Sequence, residues 1–258
     1  MKAVPLLLSL LVMVEATVAI ASDTTALPRS GYEFQSSDTQ SLQDDDFKNP
    51  GMLWVDMGKI RYSEPAGSTG QSCADCHRDL PESVAVSFPK NNRHLGVVVD
   101  LTSQIQHCRT VHQKAESFEY ESEASLALTV YLGSLSRGQA FQPVDSYPQD
   151  QLKASIDNGR LYFNRRKGQL NLSCGNCHEE SVGKMLRGDL ISQGHSNGYP
   201  IYRLEWQSLG SLHRRFRSCD IGVRAQPHDL GSATYIDLEA YLRERGAKLT
   251  VETPAVRR

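Results

Sequence analysis

Residues 57–77 read MGKIRYSEPAGSTGQSCADCH, and residues 158–178 read NGRLYFNRRKGQLNLSCGNCH. The two stretches align without a gap at an offset of 101 residues. Gly58 matches Gly159, Ile60 matches Leu161 and Tyr62 matches Phe163. Both end in C-x-x-C-H: Cys73, Cys76 and His77 in the first copy, Cys174, Cys177 and His178 in the second. That pentapeptide is the attachment signature of c-type haem. Two thiols add to the vinyl groups of the porphyrin, and the adjoining histidine reaches the iron as proximal ligand. A single copy would also suit a redox C-x-x-C or half a zinc site. Two copies make chance a poor account, and a zinc site needs four ligands gathered in one cluster. The sequence therefore predicts two covalently attached haem c groups.

Working outward, a glycine followed by apolar and aromatic residues ahead of C-x-x-C-H is how a cytochrome c domain begins. The glycine lets that first helix pass close to the helix that closes the module. Candidate closing helices follow each motif. EASLALTVYLGSL (123–135) carries Leu128, Tyr131, Leu132 and Leu135 at helical spacing, and YIDLEAYL (235–242) repeats this with Leu238, Tyr241 and Leu242. The expected fold is mainly α: two tandem cytochrome c-like domains related by internal duplication, spanning residues 51–145 and 146–258. RGQAFQPVDSYPQDQ (137–151), with two prolines and no apolar period, reads as the linker. Residues 22–50 read as a polar surface extension with an acidic run at 44–46, and Ser37 to Gln40 suggests a capping box for one short helix.

The first 21 residues have the pattern of a cleaved secretory signal: Lys2, an apolar run from Val4 to Val14, and Ala19-Ile20-Ala21 at the cut. A membrane span needs about 20 apolar residues, and no run reaches that length. The expected location is the periplasm. A formal net charge of −2 gives no footprint for nucleic acid, which calls for strong basicity.

Four of the six cysteines belong to the haem motifs, which leaves Cys108 and Cys219. In an oxidising compartment they could form a disulfide. They also occupy matching places, each about fifteen residues before the closing helix, where an ordinary cytochrome c places its distal methionine. Met185 is the only methionine after Met57 and lies too close to His178 for that role. A bis-histidine arrangement through His107 and His213 is the other possibility. The recurrence of cysteine in both copies favours thiolate, which donates electron density to iron. Around Cys219 stand Arg214, Arg215, Arg217 and Arg224, a cluster the first copy lacks. Such a run suits either a solvated face, a partner-docking patch or an anionic substrate.

The lone cysteine after each haem motif, RRFRSCDIGVRAQP (214–227) and SGYEFQSSDTQSLQDDDFKNPGMLWV (30–55) resemble the SoxA family of diheme cytochromes in bacterial thiosulfate oxidation. The resemblance runs over essentially the whole mature chain. It implies oxidative coupling of thiosulfate to a cysteine of the carrier SoxYZ, an L-cysteine S-thiosulfotransferase reaction, with electrons passed to a cytochrome c. It implies a monohaem partner, SoxX. It also implies Cys108 as distal ligand of the first haem iron opposite His77, and Cys219 as distal ligand of the second opposite His178. Cys219 would further be the active-site cysteine, carried as a persulfide, and Arg215 the substrate-binding residue. A plain diheme electron carrier without a substrate site is the rival reading.

Overall fold

Two crossed helix pairs organise the chain. In the computed structural model, which describes residues 27–80, 82–141 and 150–258, α2 (Met52–Ser63) packs across α5 (Glu123–Leu135), and α6 (Asp150–Asn164) across α9 (Ala233–Arg245). Each crossing is set by a mid-helix glycine. A Cβ on Gly58 would stand 2.0 Å from the Ala127 carbonyl oxygen, and one on Gly159 2.0 Å from that of Asp237. Any side chain there would force the helices apart, so the low helix propensity of glycine is tolerated for the close approach. The expected closing helices are thus α5, at its predicted bounds, and α9, three residues longer at its C-terminal end than its periodic core. The expected leader, the prolines of the expected linker and the boundary at 145/146 lie outside the described residues.

Between the helices of each pair the elements come in one order. First is a single turn at the C-x-x-C-H motif, α3 (Cys73–Cys76) and α7 (Cys174–His178). Each starts with a capping box: Ser72 Oγ accepts from Asp75 N while Ser72 N donates to Asp75, and Ser173 does the same with Asn176. Next comes an antiparallel hairpin, β1 (Lys90–Asn92) with β2 (Val97–Val99) in the first half. Then follows a helix leading to the lone cysteine, α4 (Leu101–His107), N-capped by Asp100. The second half inserts a small hairpin, β3 (Met185–Leu186) with β4 (Asp189–Leu190), before β5 (Ile201–Arg203) and β6 (Ser208–Gly210). Its cysteine helix, α8 (Leu212–Gly222), is capped by Ser211.

The hairpins cover the opposite helix pair. Val98 of β2 packs with Leu152, Ile156, Ala240 and Tyr241 of α6 and α9. Leu209 and Tyr202 of β6 and β5 pack with Val55, Leu126 and Val130 of α2 and α5. Burying such aliphatic side chains contributes roughly 1.5–3 kcal/mol each, so these two clusters tie the halves together.

The segment before α2 is not merely a surface strip. α1 (Ser37–Asp44) packs on β7 (Ala255–Arg257), which pairs in parallel with β5. Asn49, buried, donates to the Pro254 carbonyl at 2.8 Å, and Gln43 accepts from Val256 N at 3.1 Å. The helix cap is Ser36, which accepts from Thr39 N, one residue before the expected position. The reciprocal capping box of this segment is Ser30 with Glu33. Among the described residues no helix is long and apolar enough to cross a membrane.

Candidate active site

All six cysteines are free, so the disulfide alternative for Cys108 and Cys219 is not formed. In the second half, His178 Nδ1 lies 2.8 Å from the Ser192 carbonyl oxygen. Donating there fixes the tautomer and leaves the Nε2 lone pair for a metal. Gly194, at φ +73°, lies flat against this ring, where a Cβ would come within 2.8 Å of it. Cys219 lies within the electrostatic reach of the same histidine. Burial pushes the Cys219 thiol up, but the Arg215 guanidinium and His178 outweigh it and bring it down to about 7. Cys174 and Cys177 stand within the field of Cys219, and burial raises both thiols, Cys174 to about 11.

A histidine with a free ring nitrogen, close to one thiol and to two neutral ones, is a donor set that would fit haem c: two sulfurs for thioethers, and a nitrogen and a sulfur as iron ligands. The first half brings its cysteines together. Cys73 is raised by burial and then by nearby Cys108, and Tyr62 donates to the His77 carbonyl at 2.6 Å. His213, the alternative ligand, is fully buried and turned elsewhere. Its Nδ1 accepts from Gly231 N at 3.0 Å, its Nε2 lies 3.3 Å from Glu239, and its ring stacks on Tyr120. His107 makes an edge contact with His112.

The arginine cluster resolves into separate duties. Arg214 stacks on Trp206 at 4.2 Å and donates to Ser208, Arg217 donates to the His228 carbonyl, and Arg224 reaches Gln169. Arg215 is the one whose largest electrostatic partner is the Cys219 sulfur, which raises its pKa against the effect of burial.

Two further residues were not legible from the motif. Tyr199 lies among Arg215, Arg203, Arg257 and Cys219; burial raises its phenol, and the three arginines oppose that. Arg203, the last residue of β5, is 7% exposed and donates to Glu205 at 2.7 Å. Extending the internal repeat beyond the haem motif would have paired Arg203 with Asn92, at an offset of 111 residues. Behind Cys219, buried Asp220 accepts from Tyr162 at 2.9 Å and Tyr235 at 2.7 Å and pairs with Lys167 at 2.5 Å.

Crossed helices closed on glycine, with capped C-x-x-C-H turns beneath them, define a c-type cytochrome domain, whose haem is held covalently. A model of the SoxA/TsdA cytochrome c domain matches residues 57–141. The chain is 38% identical over 232 residues to the L-cysteine S-thiosulfotransferase subunit SoxA of Pseudaminobacter salicylatoxidans, covering 88% of this chain and 80% of that protein. It is 36% identical to the SoxA subunit of Rhodovulum sulfidophilum, covering 89% and 80%. The crystal structure of SoxXA from P. pantotrophus superposes with a TM-score of 0.84 at 32% identity, covering 90% of this chain and 87% of that one. The chain belongs to the SoxA family.

Proposed function

We propose that the protein is the SoxA subunit of a periplasmic L-cysteine S-thiosulfotransferase, exported by a cleaved signal, paired with a SoxX-like monohaem cytochrome and acting on thiosulfate and a SoxYZ-type carrier. Its two modules, 51–145 and 146–258 after an N-terminal extension at 22–50, descend from an internal duplication and carry one haem c each. Cys73 and Cys76 hold the first haem and Cys174 and Cys177 the second. His77 with Cys108, and His178 with Cys219, would be the protein ligands of the two irons. The observation that supports the reading is that buried Cys219 interacts with both His178 and the Arg215 guanidinium.

The chemistry assigned to these side chains balances. Cys219 carries a persulfide, Cys–S–S⁻. Its outer sulfur bonds to the sulfane sulfur of thiosulfate, giving Cys–S–S–S–SO₃⁻ and releasing two electrons, which reach a cytochrome c acceptor. The carrier thiol loses its proton to solvent, and its thiolate attacks that sulfane sulfur. It leaves as carrier–S–S–SO₃⁻ and regenerates the persulfide. This is covalent catalysis in two transfers. Haem, when bound, supplies the one-electron redox chemistry. Arg215 holds the sulfonate oxygens with a planar fork of donors and keeps Cys219 anionic.

Cys219→Ala and Arg215→Ala, prepared as the haem-loaded complex, are expected to lose steady-state coupling of thiosulfate to the carrier. Full turnover in either variant would favour a plain electron carrier instead.

A further inference from the structure

We propose that Arg203 is the second guanidinium of the oxyanion site at Cys219, binding the sulfonate end of thiosulfate together with Arg215. The inference rests on the reading of Cys219 as the coupling cysteine.

The geometry is visible in the first half, where the same three positions are neutral. Asn92 closes β1 as Arg203 closes β5. Gln104 is the fourth residue of α4 as Arg215 is of α8, and Cys108 follows four residues later as Cys219 does. All three pairs are 111 residues apart. In the first half these side chains form an unbroken relay: Asn92 Nδ2 donates to Gln104 Oε1 at 2.9 Å, and Gln104 Nε2 donates to Cys108 Sγ at 3.2 Å. Each amide supplies what the next one lacks, so the relay satisfies itself without a ligand.

The second half replaces both amides with guanidiniums. A guanidinium has donors and no acceptor, so Arg203 and Arg215 cannot bond to each other. Burial weighs most against the Arg203 cation, and the Arg215 charge near it adds to the cost. Its Nε is shielded from water and has no partner. Its one acid partner, Glu205, has a side chain 61% exposed, on the solvent side of the pair. Other nearby acids are already paired: Asp189 with Arg258 at 3.6 Å, and Glu252 with Arg257 at 2.8 Å. Burying a cation this way is expensive unless an anion answers it.

Charge supplies the rest. Thiosulfate is a dianion, and the Arg215 guanidinium answers only one of its two charges. Arg203 provides the missing positive charge, and two forks suit a tetrahedral sulfonate with three oxygens.

The test uses the haem-loaded complex and three variants. Arg203→Asn, which restores the first-half residue, should raise KM for thiosulfate about 10- to 100-fold, the loss of one charge-assisted partner, with kcat within about threefold. Arg203→Lys should recover a large part of that KM by restoring the charge. The midpoint potential and ferric spectrum of the second haem should stay as in the wild type. An unchanged KM in Arg203→Asn overturns the inference. So does a displaced haem potential without a KM effect, since Arg203 would then be holding a haem propionate. Cys219→Ala run alongside separates the two levels: if it keeps coupling activity the functional reading fails, and if it is inactive while Arg203→Asn is normal, only Arg203 is misassigned.

Discussion

Asn92, Gln104 and Cys108 stand in the first half where Arg203, Arg215 and Cys219 stand in the second. Thr102 meets Thr129 at 3.3 Å where, 111 and 110 residues on, His213 meets Glu239 at the same distance. Beside the lone cysteine, Arg109 stacks on Phe118 in the first half, and buried Asp220 ties down Lys167 and two tyrosines in the second. The backbone frames agree closely enough for capping boxes, hairpins and glycine crossings to correspond. At the cysteine relay and at the Thr102–Thr129 contact the side chains diverge from neutral self-satisfied pairs to ionisable ones. A stable fold does not need that charge, because the first half manages without it. Substrate chemistry is where it becomes useful.

The strongest way to break the contrast is to impose the first half's relay on the second. Arg203→Asn combined with Arg215→Gln should leave haem attachment and the absorption spectrum intact. Coupling kcat/KM should fall about 10²- to 10⁴-fold, two charge-assisted contacts of roughly 1.5–3 kcal/mol each. The two sites are neighbours, so their effects need not add, and the single variants measure the coupling. Turnover within tenfold of wild type would mean that the neutral relay serves equally well, and the comparison would lose its functional content.

Asp220 and Arg109 offer the next contrast. The Asp220 side chain is 3% exposed, and its removal strands Lys167 and two buried hydroxyls. Asp220→Ala should destabilise the protein by about 3–5 kcal/mol, the usual cost of breaking a buried pair from one side. Arg109→Ala, at the corresponding partly exposed position, should cost about 1 kcal/mol or less, chiefly lost packing on Phe118. Chemical denaturation followed by far-UV circular dichroism reads both, and equal losses would show that Asp220 is not an anchor peculiar to the second half.

These asymmetries explain what could be read from sequence. The C-x-x-C-H motifs, Gly58 and Gly159, and the periods of α5 and α9 are local or covalent signals, and they were legible. Arg215 was singled out by the resemblance to the SoxA family, from a cluster of four arginines that the sequence by itself left undivided. Arg203 was not, because its approach to α8 is a tertiary consequence of a three-residue strand. The extra residues that include β3 and β4 also shift the repeat from an offset of 101 to one of 111. The exchange of hairpins between helix pairs, and the docking of α1 on β7, depend on contacts more than fifty residues apart. Nothing in a polar 22–50 segment announces them.

The smallest expected effect concerns Glu239. It is packed among His213, Asp100, Tyr120 and Arg243, and burial, aided by Asp100 and opposed by His213 and Arg243, raises its carboxyl above the ordinary 4.5. The folded protein therefore keeps a proton that the unfolded chain gives up above that value. Folding takes up a proton in this window, so the contribution of Glu239 to stability is full below about 4.5 and is lost as pH rises through its raised value. The Thr102–Thr129 pair has no such dependence. Glu239→Gln, neutral throughout, should remove this slope: from pH 4.5 to 8 the wild-type Tm should fall relative to the variant's. A difference that stays flat, or moves in favour of the wild type, would mean that the His213 contact outweighs burial and that the junction between the halves is held by a charged pair.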